Sequence, residues 1–483
     1  MLRFEVRIHD VRYSQTASIS LPAFEEWRGS AVAATVLRFL MARPVIPKLP
    51  LLFRKVVMLT SHTRLIAATF AGSLSLAACG GGSPPSMTPL TQSMQRVPET
   101  AKNDHCEMLP LIDQRIRLQE ARSGQNTGPL SCGVRNSYKS ASRPNTSNIQ
   151  AFDVPGSIQV SKCTLYELFN ICGTFGYAIN KGGTIVGTYL KRNGVETAFI
   201  RTAGGNYASF QAPDGQDTSP FQITNYGAIV GQYADANNVS HAFVRRRGGS
   251  FLTYEAPWAS QTPDDTVAQG TAAGAINARG DTAGLYWDAQ GLGHGFIRYH
   301  NGSFVQVIPT GSVTSSVCLV CLNNRGTAAG DYTDSTGISR GFIRSAAGAI
   351  TTVAEHGAVD TGLTGINNRN TVLGFFLDSN SVVWGLILSH HKRIVFQDPE
   401  ASETYGNGTQ PEAINDAGAV TGLYADAQGV VHGFYRSPTG QFSEFDPQGS
   451  VYTEPFAINA NGTVTGYWYD AQGANHGFIW TPQ

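Results

Sequence analysis

Three features of the sequence predict an all-β fold. One residue pattern is spelled seven times, each copy is punctuated by turn chemistry, and a segment before the first copy matches what the last copy lacks. The fullest copies span 275–296, 413–434 and 457–478 and read A-I-N-x-x-G-x-x-x-G-x-(Tyr/Trp)-x-D-x-x-G-x-x-H-G-F. Counted at the Asn position, the copies fall at Asn180, Thr224, Asn277, Asn323, Asn367, Asn415 and Asn459, in steps of 44, 53, 46, 44, 48 and 44 residues. A period of this length in a chain with 53 glycines points to a circular or stacked β-repeat.

The last copy shows what one repeat builds. Phe456-Ala457-Ile458 is a short apolar run ending in Asn459-Ala460-Asn461-Gly462, where Asn tolerates and Gly supplies left-handed backbone. Thr463 to Tyr469 is β-branched, then aromatic, and reads as a second strand. Asp470-Ala471-Gln472-Gly473 makes the next turn, and His476 to Trp480 a third strand. Earlier copies add a fourth, as in Gly440 to Asp446. Four short antiparallel strands per copy make a propeller blade.

The last copy stops at Gln483 without its fourth strand, and Ile149 to Ser157 resembles the fourth-strand segment Phe442 to Ser450. The N-terminal segment therefore fits as the missing strand, closing a seven-bladed β-propeller over 147–483 and removing the exposed sheet edge. An open β-solenoid is the alternative.

These residues resemble the bacterial extracellular HAF repeats, named for His-Ala-Phe. His241-Ala242-Phe243 is the literal motif, with Gly variants at His294-Gly295-Phe296, His432-Gly433-Phe434 and His476-Gly477-Phe478. Thr197, Arg340 and Trp384 depart at the His, Thr224 at the Asn and Asn370 at the first Gly. The resemblance implies an exported β-repeat protein and carries over no catalytic residue.

Leu76-Ala77-Ala78-Cys79 closes an apolar stretch and looks like a lipoprotein signal, with Cys79 as lipid attachment site. The expected layout is signal peptide over 58–78, flexible tether and linker over 79–146 with a short helix at 111–122, then the propeller. Residues 1–57 fit this badly, because a signal peptide begins with its charged region, and Met58 is the more natural start. The implied address is the bacterial cell envelope, at the outer membrane, with lipid as the only membrane contact. Besides Cys79 there are six cysteines, and proximity suggests Cys106–Cys132, Cys163–Cys172 and Cys318–Cys321 among the possible disulfides.

Equal numbers of basic and acidic residues, 35 of each, leave no field to draw in nucleic acid. The Asp and His six apart (Asp235 and His241, Asp288 and His294, Asp426 and His432, Asp470 and His476) flank one turn each. A clasp across the hairpin explains them better than a metal site, which needs three or four protein ligands. The repeated Arg201, Arg245, Arg298, Arg344 and Arg436 read likewise as structural contacts. No metal or cofactor is expected, and the chain is expected to be a monomer.

Function is expected where the copies disagree, in the fourth-to-first-strand connections: 213–222, 257–274, 309–320, 354–364, 399–411 and 448–455. Trp258, Asp264 and Asp265 stand in the longest, and Glu403 and Tyr405 with Glu412 in or beside another. Aromatic planes with carboxylates suit sugars, by stacking and hydroxyl hydrogen bonds. The sequence therefore suggests a non-catalytic binding platform for glycan or surface protein. The alternative is a glycoside hydrolase or polysaccharide lyase using Asp264, Asp265 and Glu412, although no local catalytic motif is present.

Overall fold

The computed structural model describes residues 2–10, 13–21, 148–158, 173–191, 194–237, 239–261, 269–389 and 392–482, with backbone alone for 2–10, 13–21 and 316–320. The regular structure among them is entirely β-strand. The chain divides into two compact units, 1–60 and 61–483. In the first, Leu2–Asp10 and Tyr13–Leu21 pair as an antiparallel hairpin with Leu2 opposite Leu21. The expected signal peptide, tether and short helix lie outside the described residues.

In the second unit, the described strands pair as seven antiparallel groups of four. Group 1 consists of Thr174–Ile179, Ile185–Leu190, Glu196–Arg201 and Tyr207–Phe210. Groups 2 to 6 repeat it over 217–254, 270–307, 312–353, 360–396 and 408–445. Group 7 consists of Ser450–Ile458, Val464–Asp470 and Asn475–Trp480, and its fourth strand is Ile149–Phe152, with Ile149 opposite Trp480 and Phe152 opposite Gly477.

The connections are shorter than the sequence suggests, because the first strands start earlier. Ser312–Leu322 absorbs most of 309–320, and Gly408–Ile414 and Ser450–Ile458 take the ends of two others. Pro411 and Pro455 disguise the last two as loop, and Pro220 does the same to Asp217–Ile223 in group 2. Each sits where the first strand slips register by one residue, so its missing N–H costs no ladder bond. The same slip occurs at Gly176, Ala273 and Leu363. Opposite each slip stands the second glycine of the repeat. A Cβ on Gly466 would lie 2.0 Å from the Glu454 carbonyl oxygen, and one on Gly422 2.2 Å from that of Gln410. That glycine recurs because the bulged backbone leaves no room for a side chain.

The core lies between neighbouring groups. Phe199, Phe243, Phe296, Phe342, Phe434 and Phe478, the aromatic that follows Ala or Gly in each third strand, are completely buried, and Leu386 replaces it in group 5. In groups 5, 6 and 7 the preceding glycine leaves no room for a side chain: a Cβ on Gly477 would come within 2.4 Å of the Phe152 ring, and one on Gly433 within 2.6 Å of the Phe445 ring, whereas group 1 accommodates Ala198 opposite Phe210. Apolar clusters join each group to the next, and one unites Phe152, Ile185, Phe199 and Ala457 from groups 7 and 1. The repeated arginine clips groups together. Arg245 lies 4.9 Å over Phe210, Arg298 4.8 Å over Tyr254 and Arg436 5.0 Å over Phe396, each ring belonging to the preceding group's fourth strand. Arg201 lies 5.0 Å over Phe152 in the same way.

The repeated asparagine does two jobs. Asn415 Oδ1 accepts from the N–H groups of Ala417 (3.1 Å) and Ala419 (3.0 Å), locking its own turn, while Nδ2 donates to the Asn459 carbonyl of the next group (3.0 Å). Asn323 reaches Asn367 and Asn367 reaches Asn415 alike, each at 3.0 Å, and Asn459 donates to the Asn180 carbonyl at 3.1 Å. The departures are compensated. Thr224 has no amide, and Gln222 Oε1 takes the Ile276 N–H instead at 2.6 Å. Asn370 holds a left-handed backbone (φ 59°) in place of glycine, and its Oδ1 accepts from Asn323 Nδ2 at 2.6 Å.

Gly466→Ala is expected to lower unfolding stability by about 2 kcal/mol through overpacking against the Glu454 carbonyl. It should appear as a reduced denaturant midpoint at unchanged slope. Asn415→Ala strands two turn N–H groups and a neighbour's carbonyl, and is expected to cost about 2 kcal/mol in the same measurement.

Candidate functional site

The second-to-third-strand turns and the fourth-to-first-strand connections emerge on the same side of the array, opposite the asparagine turns. On that side each repeated Asp organises a hairpin. Asp426 Oδ1 accepts from the N–H groups of Gln428 and Val430, both at 2.8 Å, and Oδ2 meets His432 Nε2 at 3.3 Å. Asp288 with His294 (2.8 Å), Asp235 with His241 (3.5 Å) and Asp470 with His476 (3.4 Å) repeat the clasp. In two of the three groups where His is replaced the new residue still donates to the Asp, Arg340 Nε to Asp334 at 2.8 Å and Trp384 Nε1 to Asp378 at 3.1 Å, whereas group 1 has Lys191 at the Asp position and Thr197 at the His position.

A second carboxylate, missed in the sequence, completes three of these clasps. His241 Nδ1 meets Glu255 at 2.5 Å, His432 Nδ1 meets Asp446 at 2.6 Å, and His476 Nδ1 meets Asp153 at 3.0 Å. Each partner directly follows the last aromatic of a fourth strand, which was the legible signal. With both ring nitrogens held by carboxylates, these imidazoles have none to offer a metal. Among the described residues no group of three His, Cys, Asp or Glu side chains is arranged to hold one. At His241 the Glu255 hydrogen bond raises the pKa against burial. At His432 and His476 burial is the largest influence and opposes the charged ring, yet the two carboxylates at each, Asp446 with Asp426 and Asp153 with Asp470, together outweigh it and the pKa is again raised.

The expected ligand residues separate. Trp258, 40% exposed, rests on Tyr286 with ring centroids 5.7 Å apart. Tyr405, 52% exposed, and exposed Glu403 stand in the connection before group 6. Glu412 is not in that connection: it lies within the strand Gly408–Ile414, because that strand runs through Pro411. Asp264 and Asp265 lie outside the described residues, as do Cys79, Cys106, Cys132, Cys163 and Cys172. Cys321 is completely buried and disulfide-bonded, and the side chain of Cys318 is outside the described residues.

Glu412 belongs to a constellation the sequence reading missed. The positions three and five before the repeated Asn are Glu412 and Gln410 in group 6, and Phe456 and Glu454 in group 7. They are Tyr177 and Phe175 in group 1, with Phe221 in group 2. Glu454 Oε2 accepts from the phenols of Tyr452 (2.6 Å) and Tyr467 (2.5 Å). Tyr452 stacks on Tyr469 at 4.9 Å, Tyr467 packs on Phe175 at 5.0 Å and on Phe456 at 5.8 Å, and Phe456 packs on Tyr177 at 5.6 Å. Burial and then the Glu454 charge push the Tyr452 and Tyr467 phenols well above their usual pKa, so they stay protonated donors. In group 3 the same two positions hold Gly274 and Ala272, and in group 5 Thr364 and Gly362. The signal was present: these positions vary while the adjoining Ala-Ile-Asn recurs.

No family model matches the chain, and no curated relative does. Among solved structures it is similar to a lectin from Burkholderia pseudomallei at 9% identity and TM-score 0.41, over 62% of this chain and 93% of that one. The β-propeller domain of the Trilobed protease from Pyrococcus furiosus matches at 12% identity and TM-score 0.44, over 64% and 96%. An acylaminoacyl peptidase from Pyrococcus horikoshii matches at 11% identity and TM-score 0.42, over 64% of this chain and 51% of that one. The regular structure of the described residues is all-β, and the Pyrococcus furiosus match is a β-propeller domain.

The raised histidine pKa values set a pH dependence. Their stabilisation is complete below the unfolded value of about 6.5 and is lost as pH rises through the higher folded-state values. The thermal midpoint is therefore expected to fall as pH rises through that upper range, and His432→Gln to flatten the fall. Parallel melting curves for the two proteins across pH would contradict it.

Proposed function

We propose that this protein is a non-catalytic binding platform of the cell envelope, a closed seven-bladed propeller tethered through lipid on Cys79 that takes glycan ligands on its connection side. Ring closure is supported by the strand Ile149–Phe152 in group 7 and by the Asn459 amide on the Asn180 carbonyl. The observation that carries the binding reading is the pair of exposed aromatic planes on the connections, Trp258 and Tyr405. A ring held from beneath, as Trp258 is by Tyr286, presents a rigid flat surface at little entropic cost. Such surfaces stack on the apolar faces of sugars, and nearby carboxylates such as Glu403 accept from hydroxyls.

A thermal-shift screen of the full chain against oligosaccharides tests this, because a ligand of the folded state raises the midpoint as RT ln(1 + [L]/Kd). A sugar-specific rise is expected, and Trp258→Ala is expected to weaken it by about tenfold or more, the scale of one lost ring contact. A rise untouched by Trp258→Ala would move the site elsewhere. A flat panel would overturn the glycan reading in favour of protein partners.

A further inference from the structure

The arc of rings around Glu454 has a chemistry different from the connection side. Rings from groups 7, 1 and 2 lie stacked, tilted or edge to face with centroids 4.9 to 6.5 Å apart, running from Tyr452 and Tyr469 through Tyr467 to Tyr177 and Phe221. Solvent reaches it. Along Ser450–Ile458, Tyr452, Glu454 and Phe456 are partly exposed while Val451, Thr453, Pro455 and Ala457 are buried, and Tyr467, Tyr469 and Glu412 are partly exposed as well. Trp258 is no part of it.

We propose that this arc is a binding site for a small organic ammonium ion, held by the faces of the tyrosines and the carboxylate of Glu454. An aromatic face carries negative quadrupole charge and attracts cations, most strongly when both are withdrawn from water. Here carboxylates reinforce the rings. Glu454 bonds two of the phenols, and the charges bearing on Tyr452 and Tyr467 come from Glu454, from Glu412 at Tyr452, and from neighbouring phenols. An anion would be repelled. A neutral sugar would stack but draw nothing from the net charge. An alkylated ammonium uses both, since its methyl groups bury against rings while its charge faces the carboxylate.

Choline, titrated into the full-length protein by calorimetry and by saturation-transfer NMR on its methyl protons, is the probe. Its neutral isostere 3,3-dimethylbutan-1-ol has the same shape without the charge. Choline is expected to bind about tenfold or more tightly than the isostere, the ratio that a partly desolvated cation–π contact supplies. Glu454→Gln, nearly isosteric, is expected to erase most of that ratio, and Trp258→Ala to leave it unchanged. Equal affinity for the two probes in the wild-type protein, or no binding of either at tens of millimolar, would overturn the proposal even if Glu454→Gln failed to fold. Failure of the glycan reading shows separately, in the oligosaccharide screen and its dependence on Trp258.

Discussion

The asparagine amide that serves two groups at once is the interaction on which the rest of the array depends. A four-stranded sheet cannot bury both faces alone, so each group is stable only through its neighbours. The amide couples these two levels. Its oxygen completes the turn that starts the second strand, and its nitrogen satisfies a carbonyl in the next group, so local folding and assembly share one side chain. Where that residue is Thr224, the joint is remade from the strand before it, by Gln222. The contact is a structural requirement that the array meets by other means when the usual residue is absent.

A second constraint is backbone proximity at the bulge. The slip in the first strand pushes its carbonyl toward the second strand, and only glycine tolerates the approach. The slip falls beside the positions three and five before the Asn, and these vary while Ala-Ile-Asn recurs. Those positions carry Glu412, Glu454, Phe456 and Tyr177 in three consecutive groups, and small residues in groups 3 and 5. The scaffold leaves room for function beside its most restricted element.

The Asp–His pairs show how repetition and chemistry separate. A histidine between two carboxylates invites a catalytic or metal reading, yet Asp426 also holds two turn N–H groups, and Asp446 ties the fourth strand to the third. Arg340 and Trp384 keep the donor while discarding the imidazole, so what the position preserves is a hydrogen bond. At His476 the second carboxylate is Asp153, and the same clasp fastens the strand from the other end of the repeat region.

Period, turn residues and the kinship of 149–157 with 442–450 were enough to establish the β-repeat, its strand count per copy and the origin of the last strand, because each rests on local backbone preference. The clasp pairs were legible for the same reason, being six residues apart across one turn. The aromatic arc was not. Tyr452, Phe175 and Glu412 lie far apart in the chain, and Pro411 and Pro455 made their strands look like loops. Only the packing of groups 6, 7, 1 and 2 side by side brings them together, since contacts between rings are set by how sheets stack, which no local pattern encodes.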